Sequence, residues 1–176
     1  MTLYRRIYTS GASWFLLRDL KQQDTKLLVE FLNNINVTKY LSTRIPQPYT
    51  SQDAEWWVNK GSKTGITKAI EVNENFAGVI GVTIGEYENS RSAEIGYWLG
   101  EEYWGKGIAT EAITEMTNDV FSSTEIIRLF APVFSPNKAS MRVLEKCGYT
   151  LAGVFKKAVF KNGEYFDGHL FEKINL

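Results

Sequence analysis

The sequence predicts an α/β (α+β) domain in which a central sheet carries helices on both faces. Three observations predict it. Stretches of helical and of strand character alternate along the chain with no linker, repeat or low-complexity segment between them. The 176 residues are enough for one core and few for two, so residues 1–176 are expected to form a single domain. Apolar residues make up 44% and charged residues 23%, the balance of a globular chain rather than a disordered one.

Each element follows from a local pattern. Trp14–Leu20 (WFLLRDL) suits a first strand. Residues 23–35 carry Leu27, Leu28, Phe31, Leu32 and Ile35 at helical spacing. After the proline-rich loop IPQPY, Thr50 or Ser51 can cap a second helix that has Asp53 in its first turn and Gly61 at its end. TKAIEV and FAGVIGVTIGEYE read as two strands joined by the turn NEN, and SAEIGYWLG as a third. A glycine turn then opens a helix whose buried face repeats at Ile108, Ala112, Met116 and Val120. IIRLFAPVF is a strand and NKASMRVLEKCG a helix. The tail gives two strands around KNGE at 161–164, where Asn-Gly signals a hairpin.

The totals narrow the function classes. Twenty basic and twenty acidic side chains cancel, so the chain as a whole has no electrostatic bias toward nucleic acid or an anionic membrane. A single cysteine, Cys147, cannot form an internal disulfide, which fits a reducing compartment. No run of about 18 apolar residues occurs, and the N-terminal MTLYRRIYTSGASW lacks the apolar stretch of a secretory signal. The expectation is a soluble cytoplasmic protein, monomer or homodimer, that binds neither nucleic acid nor membrane.

EIGYWLGEEYWGKGIATEA, residues 94–112, carries the chemistry. A strand breaks into a Gly-Lys-Gly turn and then a helix. The amides of a helix's first turn lack intrahelical partners and carry partial positive charge, so phosphate oxygens settle there. Gly105 and Gly107 would let the backbone approach such a ligand without a side chain in the way. A nucleotide P-loop nearly matches from Gly100 to Lys106, but Gly107 stands where Ser or Thr must hold magnesium. The dinucleotide fingerprint fails at Thr110, where its third glycine belongs, and VFSPN lacks the ribose-binding acid.

Trp104-Gly105-Lys106-Gly107-Ile108-Ala109-Thr110 instead resembles the pyrophosphate loop of the GNAT acetyltransferase superfamily, with Gly107-Ile108-Ala109 matching and Trp104 replacing the usual Gln or Arg. The Trp-Gly-Lys-Gly form resembles the branch of ribosomal-protein N-terminal acetyltransferases. A second stretch, Asn137–Tyr149 (NKASMRVLEKCGY), is similar to the superfamily's later helix, with its Asn, Ser, Lys-x-Gly end and aromatic. The two motifs lie about 30 residues apart with a strand between. The resemblance spans the chain from about Phe15 onward. It implies a mixed, mostly antiparallel, splayed sheet; acetyl-CoA as cosubstrate with no metal; and transfer to a primary amine. It makes a protein N-terminus, such as that of a ribosomal protein, the first acceptor to test. It also implies that backbone groups of Tyr97, Trp98 and Leu99 hold the pantetheine arm and the thioester oxygen.

The residues of the second stretch also have a purely structural reading. Ser135, with Pro136 after it, or Asn137 can cap the helix, and Ser140 shares the face of Asn137. Gly148 can end it in a left-handed cap with Tyr149 packing back. Acetyl transfer needs a neutral amine. At pH 7 an α-amine of pKa about 7.8 is roughly 15% neutral and a lysine of pKa about 10.4 is below about 0.1%. A base is thus modestly useful for α-amines and strongly needed for lysine. Glu94, on the strand leading into the turn, is the candidate base through water, with a solvated strand carboxylate as its plain alternative. The leaving thiol, of pKa about 8.5, asks little of an acid; Ser140 and Tyr149 are both candidates.

Other features are expected to be structural. His169, the only histidine, gives no support to a triad or metal cluster. Cys147 sits among Val143 and Leu144 as a buried apolar residue. Tyr49, Trp56 and Trp57 remain weaker acceptor-site candidates, and Lys156-Lys157 reads as a solvated strand end. A small amine is the alternative acceptor. A non-catalytic acyl-CoA-binding module is the alternative of another class.

Overall fold

The computed structural model describes residues 5–8 and 12–175, and side chains from Trp14 onward. Met1–Tyr4, where the signal-peptide reading begins, and Leu176 lie outside that range. Eight strands follow the hydrogen-bonded order β1-β2-β3-β4-β5-β6-β8-β7. They are β1 (Arg5–Tyr8), β2 (Ala12–Arg18), β3 (Ile66–Val72), β4 (Asn75–Ile84), β5 (Ser92–Leu99), β6 (Arg128–Phe134), β7 (Thr150–Lys161) and β8 (Glu164–Ile174). The helices are α1 (Thr25–Leu32), α2 (Ile35–Thr38), α3 (Ser51–Asn59), α4 (Ile108–Ser123) and α5 (Lys138–Lys146). The chain divides into two compact units, one up to Gly81 with Tyr97–Ala112, the other Val82–Gly96 with the chain from Ile113 onward.

In the first unit, β2 pairs antiparallel with β3 from Phe15↔Val72 to Arg18↔Ala69. Leu28 and Phe31 of α1, Ala54 and Val58 of α3, and Ala69 and Phe76 of the strands make its core. Phe31 stacks on Phe76 at 6.1 Å and meets the edges of Trp98 and Tyr103 at 6.4 and 6.3 Å. Burying one such ring stabilises by about 1.5–3 kcal/mol. Thr50 caps α3 in a reciprocal box with Asp53. Under this layer Arg18 holds Asp24 with two bonds of 2.8 Å and also bonds Glu71; both acids are buried.

The predicted helix over 23–35 is broken. The ladder ends at Asn33, whose amide still donates to Val29 O at 3.2 Å while the Asn34 amide turns to Phe31 O. The Asn33 Nδ2 donates to the Val29 and Tyr49 carbonyls and its Oδ1 accepts from the Tyr49 amide, which ties the turn to the loop before α3. Asn34 then caps α2, accepting from the Asn36 amide at 2.9 Å. Ile35, placed by the spacing on the apolar face, is 70% exposed as a result.

In the second unit, β5 and β6 run parallel, β6 and β8 antiparallel, and β7 and β8 form a hairpin turned by Asn162 and Gly163 at φ 53° and 83°. Ile113, Met116 and Val120 of α4 and Met141 and Leu144 of α5 are buried. Gly148, at φ 80°, ends α5: its amide donates to Glu145 O, and that of Tyr149 donates to Leu144 O. Lys156-Lys157 is not a strand end. It forms a bulge in β7, with Lys157 at φ 52° and Asp167 binding both the Lys156 ammonium and the Lys157 amide at 2.9 Å.

Candidate active site

In the first unit, the chain leaves β5 through Leu99, whose carbonyl accepts the Trp104 indole N–H at 3.0 Å. Gly105 and Gly107 follow at φ +72° and +79°, a region glycine enters without strain. A Cβ built on either meets nothing within 4 Å, so both face open space. Gly107 O accepts the Glu111 amide and starts α4. A glycine at that cap offers no side-chain oxygen to the amides of Ile108, Ala109 and Thr110. The Ile108 side chain is 2% exposed and pins the helix start into the core, which leaves its backbone as its contribution to a ligand. Lys106 lies exposed, its ammonium 5.9 Å over the Tyr103 ring. The Trp98 ring packs on Phe31 and Phe76, and its carbonyl lies beside Gly78 of β4. The residues present therefore fit a pyrophosphate.

In the second unit, the parallel register of β5 with β6 covers Ser92–Glu94 against Arg128–Phe130 and stops there. Pro132 accounts for the stop. The Ser135 amide donates to Asp167 on β8 and the Arg128 amide to Arg91 on the β5 side, so even-numbered β6 residues direct their N–H toward β5. Pro132 is even-numbered and has no N–H, so nothing on β6 can bond Ile95 O. Proline inside a central strand is otherwise disfavoured. Glu94 is thus the last paired residue before the strands part, and its side chain is exposed. Residues 97 and 99 lie two and four beyond Ile95, so their backbone groups share that edge of β5.

Asn137 is the cap of α5, its Oδ1 accepting the Ser140 amide at 3.2 Å; Ser135 is not. Both Asn137 and Ser140 are half-buried. Tyr149 is 2% exposed, its hydroxyl 2.8 Å from Thr117 Oγ1. Burial pushes that hydroxyl up to about 12, against a partial offset from the Thr117 bond. Tyr149 is enclosed in the core with its hydroxyl on Thr117, whereas Ser140 is half-buried, so Ser140 is the candidate acid carried forward. Tyr49 is also core, pushed up to about 12 by burial and then by Asp53. Trp56 and Trp57 close over Gly61, where a Cβ would come within 2.6 Å of both rings. Cys147 is buried beside Thr114, and His169 faces Val133 and Val154 across the strands. Sequence reasoning missed Pro132; a proline inside the strand pattern RLFAPVF was the available signal.

Among the described residues no cluster of His, Cys, Asp and Glu could hold a metal, and no helix is long and apolar enough to cross a membrane. The acetyltransferase (GNAT) domain family matches residues 15–150. An uncharacterized N-acetyltransferase of Bacillus subtilis, YoaA, is 30% identical over 162 residues, covering 89% of this chain and 90% of that protein. The ribosomal-protein-serine acetyltransferase of Escherichia coli is 34% identical over 85 residues, 48% of each chain. The solved structure of the Microcin C7 self-immunity acetyltransferase MccE, in complex with acetyl-CoA and AMP, superposes at TM-score 0.80 with 27% identity, covering 92% of each chain. The family match over most of its length, with the open glycine cradle at the start of α4, means that the chain belongs to the GNAT acetyltransferases and is an N-acetyltransferase that uses acetyl-CoA.

Proposed function

We propose that the enzyme acetylates an α-amine, with the N-terminus of a protein as its leading acceptor and a small amine as the alternative. One observation carries the choice of an α-amine: the candidate machinery is sparse. Glu94 is exposed where β5 parts from β6, and an acceptor already roughly 15% neutral at pH 7 asks little of its base. The 34% identity to a ribosomal-protein-serine acetyltransferase supports a protein N-terminus; the likeness to MccE keeps a small molecule in view. In this reading the whole chain works as one cytoplasmic catalytic domain.

Acetyl-CoA supplies the activated acyl group. The first-turn amides of α4 bind its pyrophosphate at Gly105–Thr110. The odd-numbered edge of β5, at Tyr97 and Leu99, takes the pantetheine arm and polarises the thioester oxygen. Glu94 takes the proton from the attacking amine through water, and the amine attacks directly in a ternary complex. Ser140 donates to the departing sulfur, and Asn137 keeps it in place by fixing the first turn of α5.

The test is a panel of amines with acetyl-CoA, read by product mass: peptides with free N-termini, N-blocked peptides bearing lysine, and spermidine. Acetylation of free N-termini ahead of lysine side chains and polyamine is expected. Turnover confined to lysine or spermidine refutes the proposal.

A further inference from the structure

Trp104 stands at the join between the edge of β5 and the glycine cradle. The Gly100 amide donates to Ala77 O of β4 at 2.9 Å. A trans peptide sets its C=O opposite its N–H, so Leu99 O points from β5 away from β4. The Trp104 indole N–H donates to that carbonyl at 3.0 Å. The ring therefore lies along the edge of β5 to which Tyr97, two residues earlier, also turns its backbone. It sits just beyond Leu99, the last residue of the strand, and Gly105 follows it directly in the chain.

The residues between Leu99 and Gly105 are held in place. Gly100 lies against the Phe31 ring, where a Cβ would come within 2.9 Å. Glu101 accepts from Asn34 Nδ2 at 2.7 Å and from Asn36 Nδ2 at 3.1 and 3.2 Å. The Tyr103 amide donates to Gly100 O and the Trp104 amide to Glu101 O. Tied in this way, the Trp104 side chain is 43% exposed. Trp56 packs with Trp57, and Trp98 with Phe31 and Phe76; among the described residues Trp104 stacks on no other ring. A large apolar ring fixed in the open gains most from a ligand that covers it.

A coenzyme A with its amide arm on that edge and its pyrophosphate in the cradle passes the indole with the unit that joins the two. That unit is the pantoyl group, whose quaternary carbon bears two methyls. We infer that Trp104 is a contact residue for the cosubstrate: its N–H keeps the ring on Leu99 O, and the open face of the ring takes the pantoyl dimethyl group. This rests on the reading of the cradle and of the β5 edge above and adds the contact that bridges them.

The experiment uses three probes: CoA, pantetheine, which keeps the arm and the dimethyl group without phosphates, and ADP, which keeps the pyrophosphate alone. In NMR spectra with the parent protein, the two pantoyl methyl signals of CoA and pantetheine should move upfield and show NOEs to indole protons. Trp104→Gln, which keeps an N–H donor for Leu99 O and removes the ring, should abolish the shift. It should weaken CoA and pantetheine by the same factor, about tenfold, the scale of a modest apolar contact, and leave the Kd of ADP unchanged. Trp104→Phe keeps a ring and should retain part of the shift. Methyl signals unmoved on binding to the parent overturn the inference without any variant. So does an unchanged pantetheine Kd in Trp104→Gln, or an equal loss for ADP, which would make Trp104 a brace for the cradle alone. ADP that fails to compete with CoA for the parent refutes the cradle reading instead.

Discussion

Replacing Gly107 by valine tests the cradle, and the structure sets the size of the effect. The residue sits at φ +79°, where an L side chain costs about 1–2 kcal/mol. Its Cβ would meet nothing within 4 Å, so no packing loss adds to that figure. For a chain of this size the melting temperature should fall by roughly 2–8 °C, and the protein should stay folded. Binding suffers more. The added isopropyl group occupies the open space, or the backbone turns to negative φ and carries its amides away. Losing two charge-assisted N–H bonds, at about 1.5–3 kcal/mol each, weakens acetyl-CoA binding by roughly a hundredfold to ten-thousandfold. Calorimetric titration of the folded variant, beside a thermal melt, separates the two effects. If folded Gly107→Val binds acetyl-CoA as tightly as the parent, the phosphates are not held at the start of α4.

Glu94→Gln should lower kcat/KM for an α-amine at pH 7 and recover most of the loss near pH 9, where an amine of pKa about 7.8 is mostly neutral; a deficit unchanged at pH 9 would mean a more basic acceptor. Asn137→Ala should cost about 1 kcal/mol as a lost cap, whereas Ser140→Ala should reduce turnover per folded molecule by more than it reduces stability. Tyr149→Phe should leave turnover per folded molecule intact. Because the folded-state pKa of Tyr149 is raised from 10 to about 12, its neutral form stabilises fully below pH 10 and that contribution is lost as pH rises through 12, so the variant's melts should depend less on pH in that window. Arg18→Met strands Asp24 and Glu71 in the first unit and should destabilise by about 3–5 kcal/mol in a urea titration.

Much of the fold was legible because its signals are local. The Thr50–Asp53 box, the four-residue repeat from Ile108 to Val120, the Gly148 stop and the Asn162-Gly163 turn each depend on a few neighbouring residues. The break at Asn33 was not legible, since its side chain is drawn off by Tyr49, sixteen residues away. The cradle could be read because positive φ demands glycine at Gly105 and Gly107. The burial of Tyr149 could not, because its hydroxyl meets Thr117 of α4, thirty-two residues away in the chain. The end of the β5–β6 pairing at Glu94 depends on strand register, which no short motif encodes.

Pro132 sets two demands on the protein against each other. Valine in its place would fit β6 and offer Ile95 the missing N–H, a hydrogen bond worth about 0.5–1.5 kcal/mol. The sheet would zip further and resist heat better. In the mechanism proposed here it would also seal the strand edge that receives the pantetheine arm, so the sturdier protein would be the poorer enzyme. Selection for heat resistance alone would discard this proline, and selection for turnover would keep it.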